Sequence, residues 1–280
     1  MQSWARLLLL AGWLSAAGAF ADEPTTPAPP EPENSRRVAV LPVPPDLAEP
    51  VAFAERRGRE LYEHDQAAWH GTDAAKPASR RWRRRLVGWI TVPRAEGERP
   101  LVRFLSEPEP SVYASRVDVV LGVTEAKLEE HDPAIPLPDD QQALARARAL
   151  AIAERKRQCT PTLNSVVLRD AGGEIHVYLL AATSDPDVIV LAGHDLARVS
   201  PDGRTVVAWR SFSNTCMNGE LKEDAVMQFV THVLDPTPTE VHVFTSLNYR
   251  APLAVGTSRG IWMVDAGEIR MLDIPQKEQP

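Results

Sequence analysis

Cysteine is nearly absent from this chain. Its 280 residues include only Cys159 and Cys216, which excludes a multi-bridge disulfide scaffold and a cysteine-rich zinc module. With no C-x-x-C spacing, a thioredoxin-type redox role is excluded too. One intramolecular bridge, Cys159 to Cys216, is the expectation in an oxidising compartment. Lysine is also scarce, 5 residues against 26 arginines, a bias that fits the codon usage of a GC-rich bacterial genome. No stretch matches a Walker A sequence, a G-x-G-x-x-G fingerprint, an H-E-x-x-H helix or an EF-hand loop. No repeat recurs at a fixed period, so a propeller is not supported. The net charge of −7 speaks against nucleic acid as a partner.

Long apolar runs are missing as well, with one exception at the start. Arg6 precedes Leu7–Leu10, Ala11, Gly12, Trp13 and Leu14, a stretch too short to span a bilayer, and Ala19-Phe20-Ala21 offers a small-x-small cleavage site. This is the pattern of a signal peptide over residues 1–21, cut after Ala21. Export to the bacterial periplasm follows, with no transmembrane segment in the mature chain. Loss of the leader, whose single charge is Arg6, takes the net charge from −7 to −8. Residues 22–48 read as a Pro-rich linker, with Pro24, Pro27, Pro29, Pro30 and Pro32 favouring extended backbone. Val38–Leu41 is a first short strand.

The hydrophobic fraction, 44%, is that of a globular protein. The spacing of Phe53, Leu61, Ala68 and Trp69 predicts a helix. Strands are expected over Leu86–Val92, Leu101–Leu105 and Val112–Val123, the last with Tyr113, Val117, Val119, Leu121 and Val123 on one face. Pro133, Pro136 and Pro138 read as a turn before a second helix, capped by Asp139 with Gln142 reaching back. Its buried stripe is Leu144, Ala147, Leu150 and Ala151. Residues 49–157 therefore form a small α+β unit, helix, three strands, helix, with helices on one face of an antiparallel sheet.

Residues 158–280 read as a β-rich antiparallel unit, a sandwich or twisted open sheet, with no long helix. Strands flank Asp170-Ala171-Gly172-Gly173, Ser200-Pro201-Asp202-Gly203 and Asp265-Ala266-Gly267. Val226–Leu234 and Val241–Leu247 are expected to pair across Asp235–Thr239. The fold class is thus α+β throughout. Gly256-Thr257-Ser258-Arg259-Gly260 matches the G-x-S-x-G nucleophile elbow. A strand-like run follows it and no histidine lies beyond His242, so it is a turn between strands.

Candidate site residues are few. The register expected for the Asp235–Thr239 loop sets His232 opposite His242, Val233 opposite Val241 and Val230 opposite Phe244. Two imidazoles so placed can share a divalent ion, with His176, His194 or an acid completing the set. Arg80-Arg81-Trp82-Arg83-Arg84-Arg85 is the one dense charge run. It is either a solvated turn or an anionic-surface binder with Trp82 at a membrane interface. Tyr62, Trp69 and Trp89 read as core. The functional expectation is a non-catalytic binding protein of the periplasm, whose partner is an envelope component or another periplasmic protein, with no resident cofactor. The alternative is a metal-assisted hydrolase using zinc on the histidines, with Asp235, Asp195 and Glu240 as acids.

Overall fold

The computed structural model describes residues 38–82, 84–221 and 227–274. The expected leader, most of the expected linker and Arg83 lie outside the described residues. Val38–Leu41 does form a strand, β1 (Ala39–Leu41), and a single turn of 3-10 helix (Pro45–Leu47) leads into α1 (Ala48–Ala74). Then follow α2 (Lys76–Trp82), the four-stranded antiparallel meander β2 (Gly88–Val92), β3 (Leu101–Glu109), β4 (Val112–Leu121) and β5 (Ala126–Pro136), and α3 (Asp139–Glu154). The remainder is mostly strand. β6 (Thr162–Arg169), β7 (Ile175–Ala182), β9 (Asp195–Val199) and β10 (Val206–Ser211) make a second antiparallel sheet in the order β10-β9-β7-β6. β8 (Val188–Ala192) pairs with β11 (Met217–Glu220). A five-stranded sheet runs β1-β15-β14-β13-β12, from β12 (Gln228–Thr231), β13 (Leu253–Thr257), β14 (Gly260–Asp265) and β15 (Glu268–Asp273), with only β12 and β13 parallel. The fold is α+β.

Four hydrophobic clusters hold these layers, and α1 runs past three of them. Val51 and Ala54 join the cluster under the five-stranded sheet. Leu61 joins Tyr178, Leu180 and Phe212 under the second sheet. Ala67 joins Val102, Val117 and Val119 of the meander. Small residues let the helix approach so closely. A Cβ at Gly58 would overlap Val243, and one at Gly71 would lie 2.8 Å from Val102 Cγ2. The fourth cluster surrounds α3, where Ala147 and Ala151 meet Ile90 of the meander and Val177 and Ala197 of the second sheet.

Several expectations are corrected. Trp69 is not core: its side chain is 56% exposed, because one residue beyond buried Ala68 turns 100° around the helix. Val123, 99% exposed, lies past the end of β4, where Gly122 N–H donates to Glu125 O. The prolines at 133 and 136 belong to β5, not to a turn. β5 is an edge strand, where a missing N–H leaves no neighbour unsatisfied. The N-cap of α3 is Pro138, not Asp139. Gln142 instead clamps β4: its Oε1 accepts from Tyr113 N–H at 2.9 Å and its Nε2 donates to Tyr113 O at 2.7 Å.

The largest correction is α4 (Glu240–Tyr249), placed where a strand was expected. Its valines and phenylalanine favour β structure on propensity, but tertiary burial overrides it. At helical spacing Val241 and Phe244 face the cluster of the second sheet, while Val243 and Leu247 face the other. A helix between two cores needs apolar residues on nearly every side. Thr239 caps it, donating its N–H to His242 Nδ1 at 3.0 Å, and Arg250 ends it in the left-handed region at φ 51°.

Candidate functional site

The Cys159–Cys216 bridge forms, with Cα atoms 5.4 Å apart, and its position defines a site. Cys159 Sγ fills the space that a side chain on Gly193 would need, 2.6 Å from an ideal Cβ there. Gly193 also adopts φ +109°, which only glycine tolerates readily. Its N–H donates to Ser213 Oγ at 3.0 Å, and the next carbonyl, His194 O, accepts from Phe212 N–H at 3.1 Å. Arg157 ties the same segment down, donating to Ser213 O and Asp195 Oδ1. The short β8–β9 connection is therefore fixed on all sides, and it presents His194.

His194 is 2% exposed. Ala181 N–H donates to its Nδ1 at 3.2 Å. A neutral imidazole has one lone pair and one N–H, so the proton sits on Nε2. That Nε2–H is buried and has no partner among the described residues. Burial pulls the pKa down to about 4, so the ring is a neutral donor at pH 7.

Two cavities are lined by His194. The smaller, about 310 Å³, also contains His232 and His242 among apolar residues such as Phe212, Val230 and Val241. The histidines meet, as expected, but by another route: with Val241–Leu247 helical there is no hairpin register. The rings lie edge to face with centroids 4.7 Å apart. His232 Nε2 is 2.8 Å from Asp235 Oδ2, and Arg210 Nη2 donates to both Asp235 oxygens at 2.9 Å. The hydrogen bond from His232, with Arg210 beside it, holds Asp235 below the usual carboxylate range. His242 is pushed down to about 3, first by burial and then by His232. Its Nδ1 accepts the Thr239 N–H, so its Nε2 carries the proton, as in His194.

This geometry bears on the zinc expectation. A ligating histidine offers one nitrogen's lone pair to the metal and donates its other N–H to a carbonyl or carboxylate. In His194 and His242 that second nitrogen accepts a backbone N–H instead, so Nε2 has no lone pair to offer. The acids are engaged elsewhere too: Asp195 with Arg157 and Ser211, Glu240 with Tyr178 OH at 3.1 Å. His176 lies outside this cavity, with Asp170 and Glu174.

The larger cavity, about 680 Å³, opens between α1, α4 and the strands β6 and β7. Asp65 lines it, 5% exposed, accepting a hydrogen bond from Asn164 Nδ2 at 2.9 Å. No cation is paired with it among the described residues, and burial raises its pKa to about 6. Gln66 Nε2 donates to Asn248 Oδ1 across the cleft at 3.3 Å. Trp69, Trp89 and Tyr249 add aromatic surface. Arg148 lies over Trp89, 4.3 Å from the ring centroid, and donates to Ser165 Oγ. Asp65, Asn164 and the exposed Trp69 were missed in sequence. A signal was there for Asp65, because Arg57, Leu61, His64, Asp65 and Ala68 share one helical stripe, and polar residues within a core stripe mark something other than packing.

The arginine run is mostly structural in its surroundings. Trp82 is 4% exposed, not presented to a membrane interface, and its Nε1 donates to Glu130 Oε2 at 2.8 Å. The guanidiniums of Arg81, Arg116 and Arg85 lie over its ring at 4.6, 4.5 and 5.6 Å. Arg81 and Arg116 also pair with acids of β5, Glu130 and Asp132. Arg80, Arg84 and Arg85 remain exposed. The Gly256–Gly260 segment is the turn between β13 and β14, as expected. No helix among the described residues is long and apolar enough to cross a membrane.

Comparison of the chain with protein-family models, with curated proteins and with solved structures finds no match.

Proposed function

We propose that this is an exported periplasmic binding protein whose ligand, a neutral polyhydroxylated molecule of saccharide type, enters the cleft between α1, α4 and β6–β7. Export rests on the leader-like residues 1–21 and agrees with the disulfide. The observation that carries the binding reading is the pair of incompletely satisfied groups lining the cleft. Among the described residues, Asp65 is a buried carboxyl without a cation, and His194 is a buried donor without an acceptor. Each costs stability when left alone, and unfavourable buried groups of this kind concentrate at functional sites. Ligand hydroxyls can donate to Asp65 and accept from His194 Nε2–H. The amides of Asn164, Gln66 and Asn248 offer both donors and acceptors, and the indoles of Trp69 and Trp89 offer flat apolar faces for the C–H side of a sugar ring.

A thermal-shift screen of neutral oligosaccharides at millimolar concentration tests this. Ligands that stabilise the parent protein should fail to stabilise Asp65→Asn and His194→Phe, both still folded by circular dichroism. Stabilisation that persists in both variants, or none from any neutral oligosaccharide, would count against the proposal.

A further inference from the structure

We propose that Asp170, Glu174 and His176 form a divalent-metal site on the β6–β7 hairpin, independent of the cleft. The hairpin register creates it. Leu168 pairs with His176 and Arg169 with Ile175, so Asp170 stands opposite Glu174, and the 170 N–H donates to the 174 carbonyl at 2.9 Å. Glu174, just before β7, and His176 are two apart, so all three side chains share a face. Their donor atoms lie within 4.8 Å of one another.

His176 Nε2 is 3.6 Å from Asp170 Oδ2 and 3.6 Å from Glu174 Oε2. Those separations are too long for hydrogen bonds. They are near the edge, about 3.3 Å, of a tetrahedron whose centre lies about 2.0–2.1 Å from each donor. His176 contrasts with His194 and His242. Neither of its ring nitrogens has a hydrogen-bond partner among the described residues, and both are buried, as is the unpartnered Asp170 Oδ1. The His176 side chain is 13% exposed, and the Asp170 and Glu174 side chains are 28% and 22% exposed, so the cluster is partly buried. One imidazole and two carboxylates suit a borderline dication such as zinc.

Arg198 is the competing occupant. It stands opposite His176 on β9 and donates from Nε and Nη2 to the two Glu174 oxygens at 2.8 and 3.0 Å. A bound dication therefore shares Glu174 with Arg198 or displaces it, and the arginine side chain is half exposed, 47%. This gives the test a signature that a purely structural cluster lacks.

Calorimetric titration of chelator-treated, disulfide-intact full-length protein with zinc should show one equivalent bound. His176→Gln and Asp170→Asn should each weaken binding at least about tenfold, and Arg198→Gln should tighten it. His194→Phe should leave it unchanged. Circular dichroism of each variant confirms folding, and Asp170→Asn, at the turn, serves if His176→Gln does not fold. Absence of zinc binding at millimolar concentration, binding that survives both His176→Gln and Asp170→Asn, or weaker binding in Arg198→Gln would overturn the site.

Discussion

Gly193 and Cys159 occupy space that only one side chain can fill: an ideal Cβ on Gly193 lies 2.6 Å from Cys159 Sγ. The disulfide thus abuts the residue that sets the direction of His194. Gly193→Ala forces both a left-handed alanine and a displaced sulfur. The expected loss is roughly 2–4 kcal/mol, from backbone strain and overpacking together. Chemical denaturation of the oxidised protein measures it, and a loss near zero would mean the bridge does not lie against this glycine.

Removing the bridge itself, as Cys159→Ser with Cys216→Ser, should cost about 4 kcal/mol for a loop of this length, the cysteines being 57 residues apart. Urea unfolding of the double variant against the parent gives the number. Thiol alkylation of non-reduced parent protein should find no free cysteine.

Asp65 gives the protein an unusual pH response. Its pKa is 3.8 in the unfolded chain and about 6 when folded. Between those values the folded state holds the extra proton, so stability falls as pH rises through the window. Above pH 6 the penalty is fully present at about 3 kcal/mol, and below 3.8 it is gone. Asp65→Asn should therefore be more stable than the parent above pH 6, with the gain vanishing toward pH 4. Equal pH dependence of the two proteins would show that the carboxyl is solvated.

His194 acts in the opposite direction. Its pKa falls from 6.5 to about 4 on folding, so the unfolded chain takes up the proton first and stability is lost as pH falls from 6.5 toward 4. The contribution is about 3 kcal/mol. His64, also lowered to about 4, by burial and then by Arg57, and His242, lowered to about 3, add slopes of the same sign. The three histidines outweigh Asp65, giving net acid destabilisation. His194→Phe should flatten the acid limb of a stability-against-pH curve, while an unchanged limb would contradict the buried neutral ring.

Much of the fold was legible because local chemistry and burial agree there. Val117 and Val119 alternate as a half-buried strand must, and the turns at Gly173, Gly203 and Gly267 carry the positive φ their sequences announce. Legibility failed where context overrides propensity. α4 is wrapped by two cores and so shows no solvent-exposed face. β8, Val188–Ala192, is buried nearly throughout and has no alternation to read. Pro133 is tolerated because β5 is an edge strand whose pairing with β4 is interrupted there, facts that no local window contains.

The site divides in the same way. The Cys159–Cys216 bridge followed from counting. The meeting of His232 and His242 was anticipated on a strand register that does not exist, since the loop that separates them caps a helix. The Asp65 carboxyl and the orphan His194 N–H emerge only when α1 is laid across the second sheet, which brings residues 65 and 164 together.

The central claim, that ligand enters at Asp65 and His194, is tested most directly by crystallographic soaking of the full chain with small hydroxyl- and amide-bearing fragments. Fragments should gather in the cleft, one polar atom within hydrogen-bond distance of His194 Nε2 and another at the Asp65 carboxyl. Fragments that gather elsewhere, with the cleft holding only ordered water, would contradict it.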